Sequence, residues 1–249
     1  MQIDHWQFLQ NYTPARIARG RAGHSFPTTE LLKFQADHAQ ARDAVYSVLD
    51  IPVLQESLKI ILDSPIITLK SRVENRSEYL QRPDLGRTLS QDSRKILQEI
   101  NVEESDICFV VVDGLSAEAI NQNITNVLGN IIAKLKKINW TIAPICLVEQ
   151  GRVAVADEIG FLLKSKIVVV FIGERPGLTS PNSMGAYLTL HPRVGVTDES
   201  RNCVSNIRPE GMSSEAASQK ILYLLTEMKT KKISGVNLKD EVNDLKYLD

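Results

Sequence analysis

Three saturated apolar runs set the tightest limit on how this chain folds: DICFVVVDG from Asp106, TIAPICLVEQG from Thr141 and KIVVVFIGERPG from Lys166. Strands that read as unbroken Val and Ile runs are buried on both faces, which is what an open parallel sheet covered by helices requires. Helical patterns lie between them, AEAINQNITNVLGNIIAKLKKI over 117–138 and VADEIGFLLKS over 155–165. Alternation of strand and helix predicts an α/β fold, a Rossmann-like open parallel sheet domain over residues 101–249. A last helix, from about Ser214 to Lys231, packs Ala216, Ala217, Ile221, Leu224, Leu225 and Met228 against that sheet.

Residues 1–100 read as a smaller helical region. Thr28 or Thr29 caps a helix whose apolar face is Leu31, Leu32, Phe34, Ala41, Val45 and Val48. A shorter helix covers Val53 to Leu62, and helix resumes near Ser93 to Ile100. The intervening stretch 63–87 reads as mixed and loop-rich. In it and in 15–28, arginines (Arg16, Arg19, Arg21, Arg76, Arg82, Arg87) alternate with apolar residues such as Tyr79, Leu80, Pro83 and Leu85, a mixture typical of protein interfaces. Both segments read as docking surfaces.

Charge and cysteine usage exclude several function classes. The chain has 29 basic and 30 acidic residues, a net charge of -1, so it offers a nucleic acid backbone no strong field. No apolar stretch approaches the ~20 residues that span a bilayer, and the first residues lack the pattern of a secretory signal. Cys108, Cys146 and Cys203 are odd in number and widely spaced, which suits a reducing compartment and a cytoplasmic location. Cys108 and Cys146 sit in apolar runs and read as buried thiols. Cys203 lies in polar surroundings.

In open parallel sheets, ligands collect beyond the carboxyl ends of the strands. That rule selects three corners: Asp113 with Gly114, Gln150 to Val153, and Gly173 to Leu178. A fourth strand around Cys203 and Val204 brings the loop after it toward the same edge. Ser180 followed by Pro181 reads as the cap and first residue of a short helix, whose free amides favour an anionic ligand group. Glu174 with Arg175, and Arg152 with Asp157, read as surface ion pairs. There is no G-x-G-x-x-G after the first strand and no G-x-x-x-x-G-K-[ST]. His5, His24, His38 and His191 have no metal-ligand spacing, and no catalytic set assembles from motif spacing.

Eight segments together carry a family likeness: ARIARGRAG (15–23), FQADHAQARDAVY (34–46), YLQRPDLGRTLS (79–90), DGLSAEAI (113–120), GRVAVADEIG (151–160), GERPGLTSPNSMGAYL (173–188), RNCVSNIRPEG (201–211) and SGVNL (234–238). In this order they resemble the small-subunit family of ethanolamine ammonia-lyase over nearly the whole chain. The resemblance implies a lyase of ethanolamine catabolism that makes acetaldehyde and ammonia by adenosylcobalamin radical chemistry. It implies a hetero-oligomer whose large subunit, a TIM barrel, carries the substrate site, while the small subunit helps bind cobalamin at the interface and supplies no catalytic residue. Carried over by motif, the cofactor-binding residues are Val153 of GRV, Glu174 of GER and Cys203 of RNC. No histidine stands in a D-x-H-x-x-G motif, so the chain is expected to donate no cobalt ligand. On this reading residues 1–100 dock the large subunit and residues 101–249 bind cobalamin, in the cytoplasm or in a bacterial microcompartment. Two other classes stay open: a stand-alone α/β enzyme acting on a nucleotide or sugar phosphate, and a scaffold module.

Overall fold

The three Val and Ile runs form the centre of a six-stranded sheet. The structure, a computed structural model, describes residues 4–13 and 15–240. Its strands are β1 (Ile66–Lys70), β2 (Ser105–Val112), β3 (Ile145–Glu149), β4 (Ser165–Gly173), β5 (Met184–Leu190) and β6 (Arg201–Ile207), in the order β1-β3-β2-β4-β5-β6. The first four are parallel. Antiparallel β5 and β6 then extend the β4 side.

Among the described residues seven α-helices surround the sheet: α1 (Thr28–Tyr46), α2 (Ile51–Ile61), α3 (Arg76–Gln81), α4 (Gln91–Glu99), α5 (Ala117–Lys137), α6 (Val155–Leu162) and α7 (Ser214–Lys231). Along β2 the side chains alternate between two cores. Ile107, Phe109 and Val111 meet α2, α5 and α7 on one face, while Cys108, Val110 and Val112 meet α4 and α6 on the other. Burial on both faces is the physical reason the stretches Ile107–Val112 and Ile167–Ile172 carry no charged or amide side chain.

The α/β reading holds, with a sheet that is mostly parallel and ends in two antiparallel strands. The segment from Ser180 does not begin a helix: MGAYLTL forms β5, with Met184, Ala186 and Leu188 facing one core and Tyr187 partly buried against the other. Its period of two, not the Ser-Pro pair upstream, determines the element. The observation that favoured a phosphate-binding helix at this point is thereby removed. The stretch 63–87, read as mixed and loop-rich, contains β1 and α3. β1 pairs with β3 from Ile66 to Lys70, so the first hundred residues supply an edge strand of the sheet as well as helices.

α1 differs most from its amphipathic reading. Among its residues only Ala44 is buried, whereas Leu31, Leu32 and Phe34 are exposed. The helix is tied to the body at its C-terminal end, where the Ser47 hydroxyl accepts from Glu118 N–H at 2.9 Å and the Val48 carbonyl from Asn121 at 3.0 Å. Toward its N-terminal end the Arg16 guanidinium lies over the Phe34 ring at 5.0 Å, while Leu31 and Leu32 stay exposed.

Candidate functional site

β3, β2 and β4 end side by side, and the loops after β2 and β3 meet at Asp113. Its carboxylate accepts the backbone N–H groups of Gly114 (2.8 Å), Gln150 (2.8 Å) and Gly151 (3.2 Å). Gly114 and Gln150 hold left-handed backbone, with φ of +58° and +56°; Gly114 does so without steric cost. Arg76 of α3 lies 3.7 Å from the carboxylate. It donates to Val45 O (2.7 Å), Gly114 O (2.9 Å) and Gln150 Oε1 (3.3 Å). One arginine thus fastens the end of α1 to two corners of the sheet edge.

Burial pushes the Asp113 carboxyl up to about 6, against the pull of the Gln150 N–H, Arg76 and the two remaining N–H donors. With the folded value raised above the ordinary 3.8, this group favours folding fully below about pH 4, and that contribution is lost as pH rises through about 6. Denaturation midpoints of wild type and Asp113→Asn, compared from about pH 4 to about pH 7, are therefore expected to move against the wild type. A difference that stays flat across that interval would show that Asp113 ionises without penalty.

Above this corner opens a cavity of about 540 Å³ whose wall includes Tyr79, Arg87, Leu115, Arg152, Val153, Ala154, Ile172, Glu174 and Tyr187. Tyr79 is fully buried and donates its hydroxyl to Gly151 O at 2.9 Å. Two guanidinium groups stack on its ring, that of Arg76 at 4.6 Å and that of Arg152 at 4.1 Å. Both Arg76 and Tyr79 therefore build the site from inside, where the sequence pattern around them suggested an outward docking surface. The signal that separates the two readings, burial of Tyr79 under the β3–α6 loop, exists only in three dimensions.

Val153 and Glu174 share this cavity. Val153 stands in the loop before α6. Glu174 follows β4, and its Oε2 accepts from Ser183 Oγ (2.6 Å) and Asn206 N–H (3.3 Å). Gly185 makes room for it, since a Cβ there would lie 2.9 Å from Glu174 Oε1. Glu174 is thus anchored to β5 and β6 and is not paired with Arg175, which has no ion pair among the described residues. Oε1 has no hydrogen-bond donor among those residues.

Cys203 sits in the middle of β6 and not in a strand-end loop. It is exposed, and its cross-strand partner is Tyr187 of the cavity wall. Burial of the sulfur raises the Cys203 thiol, with the neighbouring Tyr187 hydroxyl pulling it back. The sequence reading missed Tyr187, because the alternation that places it was overridden by the Ser180-Pro181 helix signal. Arg152 and Asp157 separate: Arg152 donates to Tyr79 O at 3.2 Å, whereas Asp157 turns beneath the sheet to a buried ion pair with Arg201. The described residues contain no group of three or more His, Cys, Asp or Glu able to hold a metal ion and no helix long and apolar enough to cross a membrane.

Comparison with known proteins gives one consistent result. Residues 3–239 match the profile of the ethanolamine ammonia-lyase light chain (EutC) family. The chain is 50% identical over 240 residues to an ethanolamine ammonia-lyase small subunit of Azotobacter vinelandii, covering 95% of this chain and 88% of that one. It is 49% identical to the protein of that name from Ralstonia nicotianae (94% of this chain, 88% of that one) and 49% identical to that from Pseudomonas putida strain W619 (95% and 88%). With a profile spanning nearly every residue and half of all positions shared with these relatives, the chain belongs to the ethanolamine ammonia-lyase light chain family.

Proposed function

We propose that this chain is the small subunit of an ethanolamine ammonia-lyase and supplies one wall of its adenosylcobalamin site, the other wall coming from a large catalytic subunit in a hetero-oligomer. The observation that carries this reading is the meeting of Val153 and Glu174 in one cavity, with Tyr187 linking that cavity to Cys203. A corrinoid presents a broad apolar face and a rim of amides, so its site needs apolar contact and spread hydrogen-bonding groups. Leu115, Val153, Ala154 and Ile172 supply the first, and the free Oε1 of Glu174 supplies an acceptor for an amide N–H. A space of about 540 Å³ encloses only part of so large a molecule, which is why a second wall is required. When bound, the cofactor supplies radical chemistry through its cobalt–carbon bond. The residues of this chain bind and orient it.

Docking of the large subunit, a TIM barrel on this reading, is assigned to the N-terminal region. Phe26, Leu31, Leu32 and Phe34 are exposed together, and Phe26, Leu31 and Phe34 line a groove of about 370 Å³ with Arg16 and Arg19. An apolar patch rimmed by charge is the usual mark of a protein interface. The segment around α1 then docks, while Tyr79 and Arg87 join residues of the region 101–249 in holding the cofactor, in the cytoplasm or in a microcompartment.

Co-expression with the large subunit tests both parts. Glu174→Ala combined with Val153→Asp is expected to weaken adenosylcobalamin binding at least about tenfold, or 1.4 kcal/mol, in equilibrium dialysis, with subunit association retained. Unchanged affinity would mean that the cofactor lies elsewhere. In the same system Leu31→Asp with Phe34→Asp is expected to abolish co-purification of the large subunit while far-ultraviolet circular dichroism stays the same. Full recovery of the complex would remove α1 from the interface.

A further inference from the structure

Three arginines on the cavity wall have no carboxylate partner. Arg87, Arg152 and Arg175 all line it, and none makes an ion pair within 4.0 Å among the described residues. Their neighbours differ: Arg76 faces Asp113, Arg201 faces Asp157 and Arg208 faces Glu210. The acids on the same wall are already engaged, Glu174 by Ser183 and Asn206, and Asp198 by Arg201 at 3.3 Å.

Arg152 is held ready. Its backbone N–H donates to Gly86 O at 2.7 Å, its Nη2 to Tyr79 O at 3.2 Å, and its guanidinium stacks on the buried Tyr79 ring. Its Nε is buried with no acceptor. A planar guanidinium fixed by stacking loses little entropy when an anion arrives. Arg87 and Arg175 are exposed beside it and add positive charge to the same rim.

We infer that Arg152, assisted by Arg87 and Arg175, recognises an anionic group of the ligand in this cavity, and that the group is the phosphodiester of the nucleotide tail of adenosylcobalamin. This inference rests on the cofactor reading above. The choice of group follows from the chemistry of the ligand: the rim substituents of the corrin are neutral amides, and the phosphodiester is the ionised one. Arginine is the side chain suited to paired hydrogen bonds with phosphate oxygens. The tail is then fixed by charge on this chain, while the corrin face lies against Val153 and its apolar neighbours.

The test uses the complex with the large subunit and three probes: adenosylcobalamin, adenosylcobinamide phosphate, which keeps a phosphate but lacks the base, and adenosylcobinamide, which lacks both. Dissociation constants come from equilibrium dialysis read by corrinoid absorbance. Arg152→Gln is expected to weaken the two phosphate-bearing probes about tenfold and to leave adenosylcobinamide unchanged. Salt should weaken the wild type more than the variant. Arg175→Gln changes an exposed side chain and cannot unfold the site, and it is expected to weaken the same two probes about threefold. Equal losses on all three probes, or none on any, would overturn the phosphodiester assignment while leaving the cofactor reading intact. Failure of the cofactor reading is seen separately, as unchanged affinity in Glu174→Ala with Val153→Asp.

Discussion

Asp157→Ala is expected to lower the stability of the fold by about 3–5 kcal/mol, the usual cost of removing one partner from a buried ion pair. The Arg201 and Asp157 side chains are 2% and 3% exposed. They join through two 2.6 Å hydrogen bonds, and Arg201 also donates to Thr189 Oγ1 and Val196 O at 3.0 Å each. Burial raises the Asp157 carboxyl and the Arg201 fork pulls it down. The short bidentate contact is the arrangement of an ionised pair. Truncating Asp157 leaves a guanidinium in the interior with two neutral acceptors and one exposed acid, Asp198. Because the pair connects α6 to β6, its loss loosens the layer beneath the cavity. Urea denaturation measures the effect, and the double replacement Asp157→Leu with Arg201→Met is expected to restore most of it, since apolar groups of similar volume often replace such pairs without loss. A drop below about 1 kcal/mol in the single variant would place the pair in the class of solvent-screened contacts.

Gly173→Ala is expected to destabilise by about 3 kcal/mol or more, at the upper end of overpacking costs. A Cβ at this position would lie 1.9 Å from Ser116 O and 2.5 Å from Asp113 O. Both are backbone atoms of the β2–α5 corner, so no rotamer change relieves the contact. The reciprocal position is equally tight: a Cβ on Gly114 would lie 2.3 Å from Gly173 O. The end of β4 therefore rests directly on that corner, held by the Leu115 N–H to Gly173 O bond at 2.9 Å. Separating them shifts Glu174 relative to Val153, and on the proposed cofactor reading corrinoid affinity in the complex falls along with the thermal midpoint. Gly129→Ala is the control. It lies within α5, its added methyl would meet only Ile61 Cδ1 at 3.7 Å, and the helix gains up to about 1 kcal/mol from the better former. Equal behaviour of the two variants would refute the close-approach argument.

How much of this was legible in the sequence depends on which interactions fix each part. α5 and α7 could be read because apolar residues recur at helical spacing and Ser116 and Ser213 cap them, accepting from Ala119 N–H and Ala216 N–H. β2 and β4 could be read because a strand covered on both faces leaves unbroken apolar runs, Ile107–Val112 and Ile167–Ile172. β1 escaped because IITLK is an edge strand with exposed Thr68 and Lys70, too short to stand out from a loop. β5 escaped because a local Ser-Pro signal was weighed above a period-two alternation of seven residues. In each miss, pairing with a neighbouring strand decided the outcome, and that pairing is not a property of the segment.

The sequence alone determined the family, through eight motifs in order, together with the α/β class and the positions Val153, Glu174 and Cys203 as motif members. Only the tertiary structure decided that Val153 and Glu174 share one cavity while Cys203 reaches it through Tyr187. It also decided that Tyr79 and Arg76 face inward, that Asp157 pairs with Arg201 and not with Arg152, and that Leu31, Leu32 and Phe34 of α1 stay exposed. The physical reason is common to all of these. Periodicity and caps are local and survive in one dimension, whereas burial, cross-strand pairing and ion-pair choice depend on which distant segments the sheet order places together.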